Sequence, residues 1–185
     1  MRIKNLLYPF LLLLVIISTS CLTTTDPLAQ YTDWKVKNET YFTNMKDSLD
    51  FKLFNIPVNR GGGSYYYHII DSGNKNSPMY KDTVKYNDSV FVHYQGRRID
   101  WTMFDGTYKG SKPIWQNNED SISFKVNAVI KGWSEALMQM KAGEKRRVVL
   151  PWQLGYGSTG SGAISPYSTL IFDIQLISFG TPKNK

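Results

Sequence analysis

A chain of 185 residues has room for one domain of ordinary size and an extension, but not for two full domains. Apolar residues make up 42% and charged residues 20%, which excludes wholesale disorder; one cysteine and two histidines exclude an internal disulfide and a His-rich metal site. The net charge of +7 includes Arg2 and Lys4, in a segment expected to be removed, so the mature basic excess is mild and no nucleic-acid partner is expected.

Residues 1–20 have the layout of a signal peptide. Arg2 and Lys4 precede an apolar run from Leu6 to Ile17, then small residues lead to the sole cysteine, Cys21. The run is too short for a ~30 Å hydrocarbon core, which needs about 20 residues. Ile17-Ser18-Thr19-Ser20-Cys21 resembles a bacterial lipobox, with Ser18 where a leucine is more typical. Cys21 is therefore the expected lipidation site, and a membrane is an expected partner through that anchor. The implied localisation is the cell envelope, on its periplasmic face or the cell surface.

Residues 21–64 are expected to form a lipid-anchored tether and a short helical extension. Leu22 to Gln30 is small, polar and proline-containing. Asp33 to Asp50 suggests a helix with Asp33 as N-cap, because Trp34, Tyr41, Phe42, Met45 and Leu49 fall near 3.6-residue spacing. Gly61-Gly62-Gly63 reads as a flexible break before a domain spanning 65–180. Within it, strands are expected over 65–70, 89–94, 121–126, 144–150 and 169–179, with one helix over 133–140 ending before Ala142-Gly143. That order describes an α+β domain.

Three patterns carry no function. Gly155-Tyr-Gly-Ser-Thr-Gly160 satisfies a G-x-G-x-x-G string, but no helix follows to receive a phosphate. Lys145-Arg146-Arg147 alternates between strand faces and reads as a solvated edge. His68 and His93 have no third ligand at recognisable spacing, so no metal is expected.

The informative constellation begins at Val90. Val90-Phe-Val-His-Tyr-Gln-Gly96, Phe104-Asp105, Val129-Ile-Lys-Gly-Trp133, Leu154-Gly-Tyr-Gly157 and Ser168-Thr-Leu-Ile-Phe-Asp173 follow in one order from about Asp82 to Phe179. This segment resembles the FKBP family of peptidyl-prolyl cis-trans isomerases. Departures are Trp101 at a usual glycine, Ala163 at a frequent larger aliphatic, and Ile122 at an often aromatic position.

The resemblance implies an FKBP-like curved antiparallel sheet wrapped around one short helix, preceded here by a helical N-terminal extension. It implies a proline pocket with Asp105, Tyr156 and Trp133 as catalytic residues. Tyr94, Phe104, Val129, Ile130, Ile164 and Phe172 would bind substrate, with Trp133 as the floor. Implied partners are proline-containing polypeptide clients and macrolide inhibitors, with no cofactor. The implied function is isomerisation that assists folding of exported proteins. The alternative is an FKBP-fold chaperone or assembly module that kept the fold without the rate.

Overall fold

The computed structural model describes residues 26–107 and 121–180. The expected signal segment and Cys21 lie outside the described residues. Helix α1 spans Thr32–Asn44. Strands β1 (Lys52–Asn55) and β2 (Ser64–Asp71) form a hairpin, followed by β3 (Ser89–Arg98), β4 (Met103–Gly106) and β5 (Ile122–Lys125). Helix α2 spans Lys131–Leu137, and β6 (Lys145–Leu150) and β7 (Leu170–Gly180) close the sheet. The antiparallel order is β1-β2-β6-β7-β3-β4, with β5 also paired to β3.

Side-chain alternation separates two cores. On β6 and β7, Val148, Leu150, Leu170, Phe172, Ile174 and Leu176 face α2, whereas Val149 and Ile171 belong to a second cluster on the α1 side. Tyr65 and Tyr66 of β2 divide the same way. A strand's period of two makes this division automatic once both faces are covered. The main core adds Trp133, Ala136 and Leu137 of α2. The smaller one receives Tyr41 and Phe42 from α1 and Met45 from the turn that follows it.

Four local expectations are corrected. The N-terminal helix stops at Asn44 and a 3-10 turn over Met45–Asp47 follows, so Leu49 leaves the apolar stripe and is fully exposed. Asp33 sits inside the first turn and makes no cap hydrogen bond, because a 3-10 turn over Ala29–Tyr31 runs directly into α1. Lys52–Asn55, within the span read as tether and helix, pairs with β2 from Lys52↔Tyr67 to Asn55↔Ser64. The glycine run therefore closes a hairpin, and it is tied down: the Lys131 ammonium donates to the Gly61 and Gly62 carbonyls at 2.7 and 2.9 Å.

The fourth correction concerns charge. β6 lies between β2 and β7, so Lys145-Arg146-Arg147 is on an inner strand and not a solvated edge. Arg146 is buried; its Nε donates to Glu144 Oε1 at 2.6 Å, and its guanidinium lies 4.7 Å from the Tyr67 ring centroid. Arg147 grips Asp173 with two bonds of 2.6 and 2.8 Å. Bidentate carboxylate pairing is what brings guanidinium groups into such positions.

Candidate active site

The site is built where β3, β4 and the start of α2 converge. Val90, Val92 and Tyr94 alternate along β3 toward α2, and the next position in that series is Gly96. A Cβ on Gly96 would stand 2.7 Å from Phe104 and 2.8 Å from Phe172, so those two rings close over bare backbone. Phe104 and Phe172 meet edge to face at 5.6 Å.

Helix α2 begins with Ile130 as its cap: the Trp133 and Ser134 amides both donate to the Ile130 carbonyl. The turn inserts Trp133 between three rings, at 5.0 Å from Tyr94, 5.7 Å from Phe124 and 5.3 Å from Phe172, all near-perpendicular. Edge-to-face packing suits the ring quadrupoles and leaves the indole as a rigid floor. The indole Nε1–H is buried without an acceptor among the described residues. Among the described residues the Ile130 amide also has no acceptor.

A cavity of about 290 Å³ opens above this floor, lined by Tyr94, Asp105, Phe124, Ala128, Val129, Ile130, Trp133, Tyr156 and Phe172. At its polar side the Tyr94 hydroxyl donates to Asp105 Oδ2 at 2.6 Å, and the Gly106 amide donates to Asp105 Oδ1 at 2.8 Å. Burial, then the Asp105 hydrogen bond and charge, hold the Tyr94 phenol far above its ordinary value of 10.0. Tyr156 is raised by partial burial and then by the Asp105 charge. Both phenols therefore remain proton donors throughout the physiological range.

Seven of the nine residues expected at the site line the cavity together. Phe104 packs behind Phe172, and Ile164 is buried in the main core, so both lie outside the lining. Sequence reasoning missed Phe124 and Ala128. Phe124 was legible: Ile122, Phe124 and Val126 alternate, and Val126 is fully buried, so Phe124 shares the inward face. Ala128 carries no comparable signal beyond its place before Val129. His93 meets the Thr107 hydroxyl and His68 the Asp50 carbonyl.

Raised phenols impose a pH signature. Tyr65, buried in the main core, is pushed well above 10.0 by burial, as Tyr94 is. The fold then holds these protons to higher pH than the unfolded chain does, so the associated stability is full below pH 10 and lost as pH rises beyond it. Thermal unfolding is expected to be flat from about pH 7 to 9 and to fall above about pH 10, with Tyr94→Phe making the alkaline fall shallower. An identical alkaline slope in parent and Tyr94→Phe would contradict the assignment.

A curved antiparallel sheet holding an aromatic, hydroxyl-rimmed pocket against one short helix defines an α+β domain of the FKBP-like fold. Residues 80–177 match the family of FKBP-type peptidyl-prolyl cis-trans isomerases, and the chain belongs to that family. It is 40% identical over 113 residues to peptidyl-prolyl cis-trans isomerase Mip of Coxiella burnetii, covering 60% of this chain and 43% of that protein. It is 43% identical over 113 residues to the outer membrane protein MIP of Legionella longbeachae, covering 60% and 42%. The crystal structure of FkpA from Escherichia coli superposes with a TM-score of 0.65 at 27% identity, covering 83% of this chain and 62% of that one. The chain thus spans about half or less of the length of the curated relatives it matches. Among the described residues no helix is long and apolar enough to cross a membrane.

Proposed function

We propose that this chain is a peptidyl-prolyl cis-trans isomerase that assists the folding of exported proteins at the cell envelope. The observation that carries the reading is the pocket itself: an aromatic floor and walls, a paired Tyr94–Asp105 at one side, and a free Ile130 amide beside it. Its family membership supports the same reaction class.

The barrier to rotating an X-Pro amide, about 18–20 kcal/mol, comes from the resonance lost at the perpendicular geometry. The twisted amide is less dipolar than the planar one, so an apolar pocket disfavours it less. In this reading the rings of Trp133, Phe172 and Phe124 hold the proline, and Val129 closes one side. Phe104 and Ile164 support the walls from behind. The Ile130 amide and the Tyr156 hydroxyl donate to peptide carbonyls, while Asp105, held by Tyr94 and Gly106, presents negative charge near the rotating carbonyl. No bond is made or broken; catalysis is preferential binding of the twisted state.

The direct test is protease-coupled cis-trans isomerisation of proline tetrapeptides by the chain from Cys21 onward. Acceleration proportional to protein concentration supports the reading. Absence of acceleration, with binding of unfolded clients retained, would transfer the protein to the chaperone alternative. Macrolide inhibitors of the family are expected to compete with the peptide.

The domain layout we propose has a cleaved segment 1–20, an anchored extension from Cys21, and the isomerase domain through residue 180. The lipobox-like Ile17-Ser18-Thr19-Ser20-Cys21 motivates the anchor. Cys21→Ala in the full chain is expected to move the protein from the membrane pellet to the soluble fraction. A variant that still sediments with membranes removes the anchor from this scheme.

A further inference from the structure

The matched family segment starts at residue 80, yet helix α1, far upstream, holds both ends of the loop that carries Tyr156. Asn38 is the fully buried residue of α1. Its Oδ1 accepts the Thr169 amide at 2.7 Å, its backbone carbonyl accepts the Thr169 hydroxyl at 3.1 Å, and its Nδ2 donates to the Trp34 carbonyl at 2.7 Å. One turn earlier, the Trp34 indole N–H donates to Ser168 Oγ at 3.0 Å, and that hydroxyl donates onward to the Ser165 carbonyl at 2.7 Å, beside Ile164. At the other end of the loop, the Trp152 indole N–H donates to Glu39 Oε1 at 3.1 Å.

The grip reaches the pocket through the loop's own bonds. The Gly157 amide donates to the Trp152 carbonyl, and the Tyr167 amide to the Gly157 carbonyl, so Tyr156 sits between two anchored points. Tyr167 holds a left-handed φ of 61°, and the Lys35 ammonium lies 5.0 Å from its ring. A strained backbone of this kind persists only where its surroundings over-determine it. A buried amide with every polar group satisfied specifies a single arrangement of the parts it joins.

We propose that Trp34 and Asn38 are positioning residues for the isomerase reaction: through Ser168 and Thr169 they set the Tyr156 loop against the pocket. The inference rests on the isomerase reading. It makes the N-terminal extension a working part of the active site as well as a link to the membrane. Because a preorganised loop matters most for the twisted peptide, the loss on releasing it falls on kcat more than on KM.

The test uses the full mature chain with Trp34→Phe, Ser168→Ala, the double variant, and Met45→Ala as control. Trp34→Phe keeps an aromatic ring and removes one N–H; Met45 packs on the Tyr66, Val149 and Ile171 cluster, and its side chain carries no donor to the Trp34–Ser168–Ser165 relay. Each single variant is expected to lose about fivefold in kcat with KM within about twofold, and the double variant to lose no more than the worse single, since both break one relay. Amide exchange at Ile164 and Tyr167 should quicken in the same variants. Met45→Ala, compared at an equal margin below its own unfolding midpoint, should keep parental kcat. An active parent whose loop variants match it overturns the inference alone, as does an equal kcat loss in Met45→Ala. An inactive parent overturns the isomerase reading and this inference with it.

Discussion

Asp105→Asn and Tyr156→Phe are each expected to lower kcat/KM toward proline peptides by about tenfold or more, equivalent to ~1.4 kcal/mol of transition-state stabilisation. Asparagine is the informative replacement at position 105 because the carboxylate has two structural duties, accepting from the Tyr94 hydroxyl and from the Gly106 amide. An apolar residue there orphans both donors and mixes a folding defect with loss of charge. An asparagine Oδ1 still accepts from Gly106, and its NH2 donates to the Tyr94 oxygen, so the charge is removed while a reversed hydrogen bond, with the Tyr94 proton turned away, keeps the two side chains together. Tyr156 is partly exposed, so its hydroxyl can be deleted with little effect on packing. Steady-state isomerisation with circular dichroism as a folding check decides the matter. If both folded variants retain parental kcat/KM, these groups do not carry the chemistry.

Trp133→Ala is expected to destabilise the protein by ~3–5 kcal/mol, within the range for emptying a buried tryptophan site. The indole is 3% exposed and packs edge to face on three rings that themselves form the pocket, so no neighbour can collapse into the space without opening the wall. Urea unfolding measures the loss, and isomerase activity in the residual native fraction should fall too. Trp133→Phe retains part of the stack and deletes a buried N–H that has no acceptor among the described residues, so its cost is expected to be smaller. A cost below about 1 kcal/mol for the alanine variant would show that Trp133 is not the packing centre of the site.

The fold and most of the site were open to reading because their signals are local. Alternation along β3, β6 and β7 depends only on the strand's period of two, so inward positions such as Val90, Val92 and Tyr94 can be read without a partner strand. Trp133 follows a turn that starts α2, and Asp105 follows Phe104 on a short strand, so short motifs were enough to mark them. At Trp101 the family's usual glycine has a physical reason: φ is +64°, a left-handed conformation, and the ring is held between the Arg97 and Arg147 guanidiniums at 5.9 and 5.5 Å.

What tertiary structure alone decided involves partners distant in the chain. Arg147 reads as surface charge until β7 brings Asp173 beside it, 26 residues on. Glycines 61–63 read as a flexible break until Lys131 meets the Gly61 and Gly62 carbonyls, about 70 residues on. Asn38 reads as a polar helix residue until Thr169 arrives from 131 residues away and buries it. Local periodicity encodes which face of an element is apolar. It does not encode which distant donor, acceptor or charge will lie opposite a polar side chain, because burying that side chain costs free energy until the partner is in place, and only the assembled sheet and helices supply it.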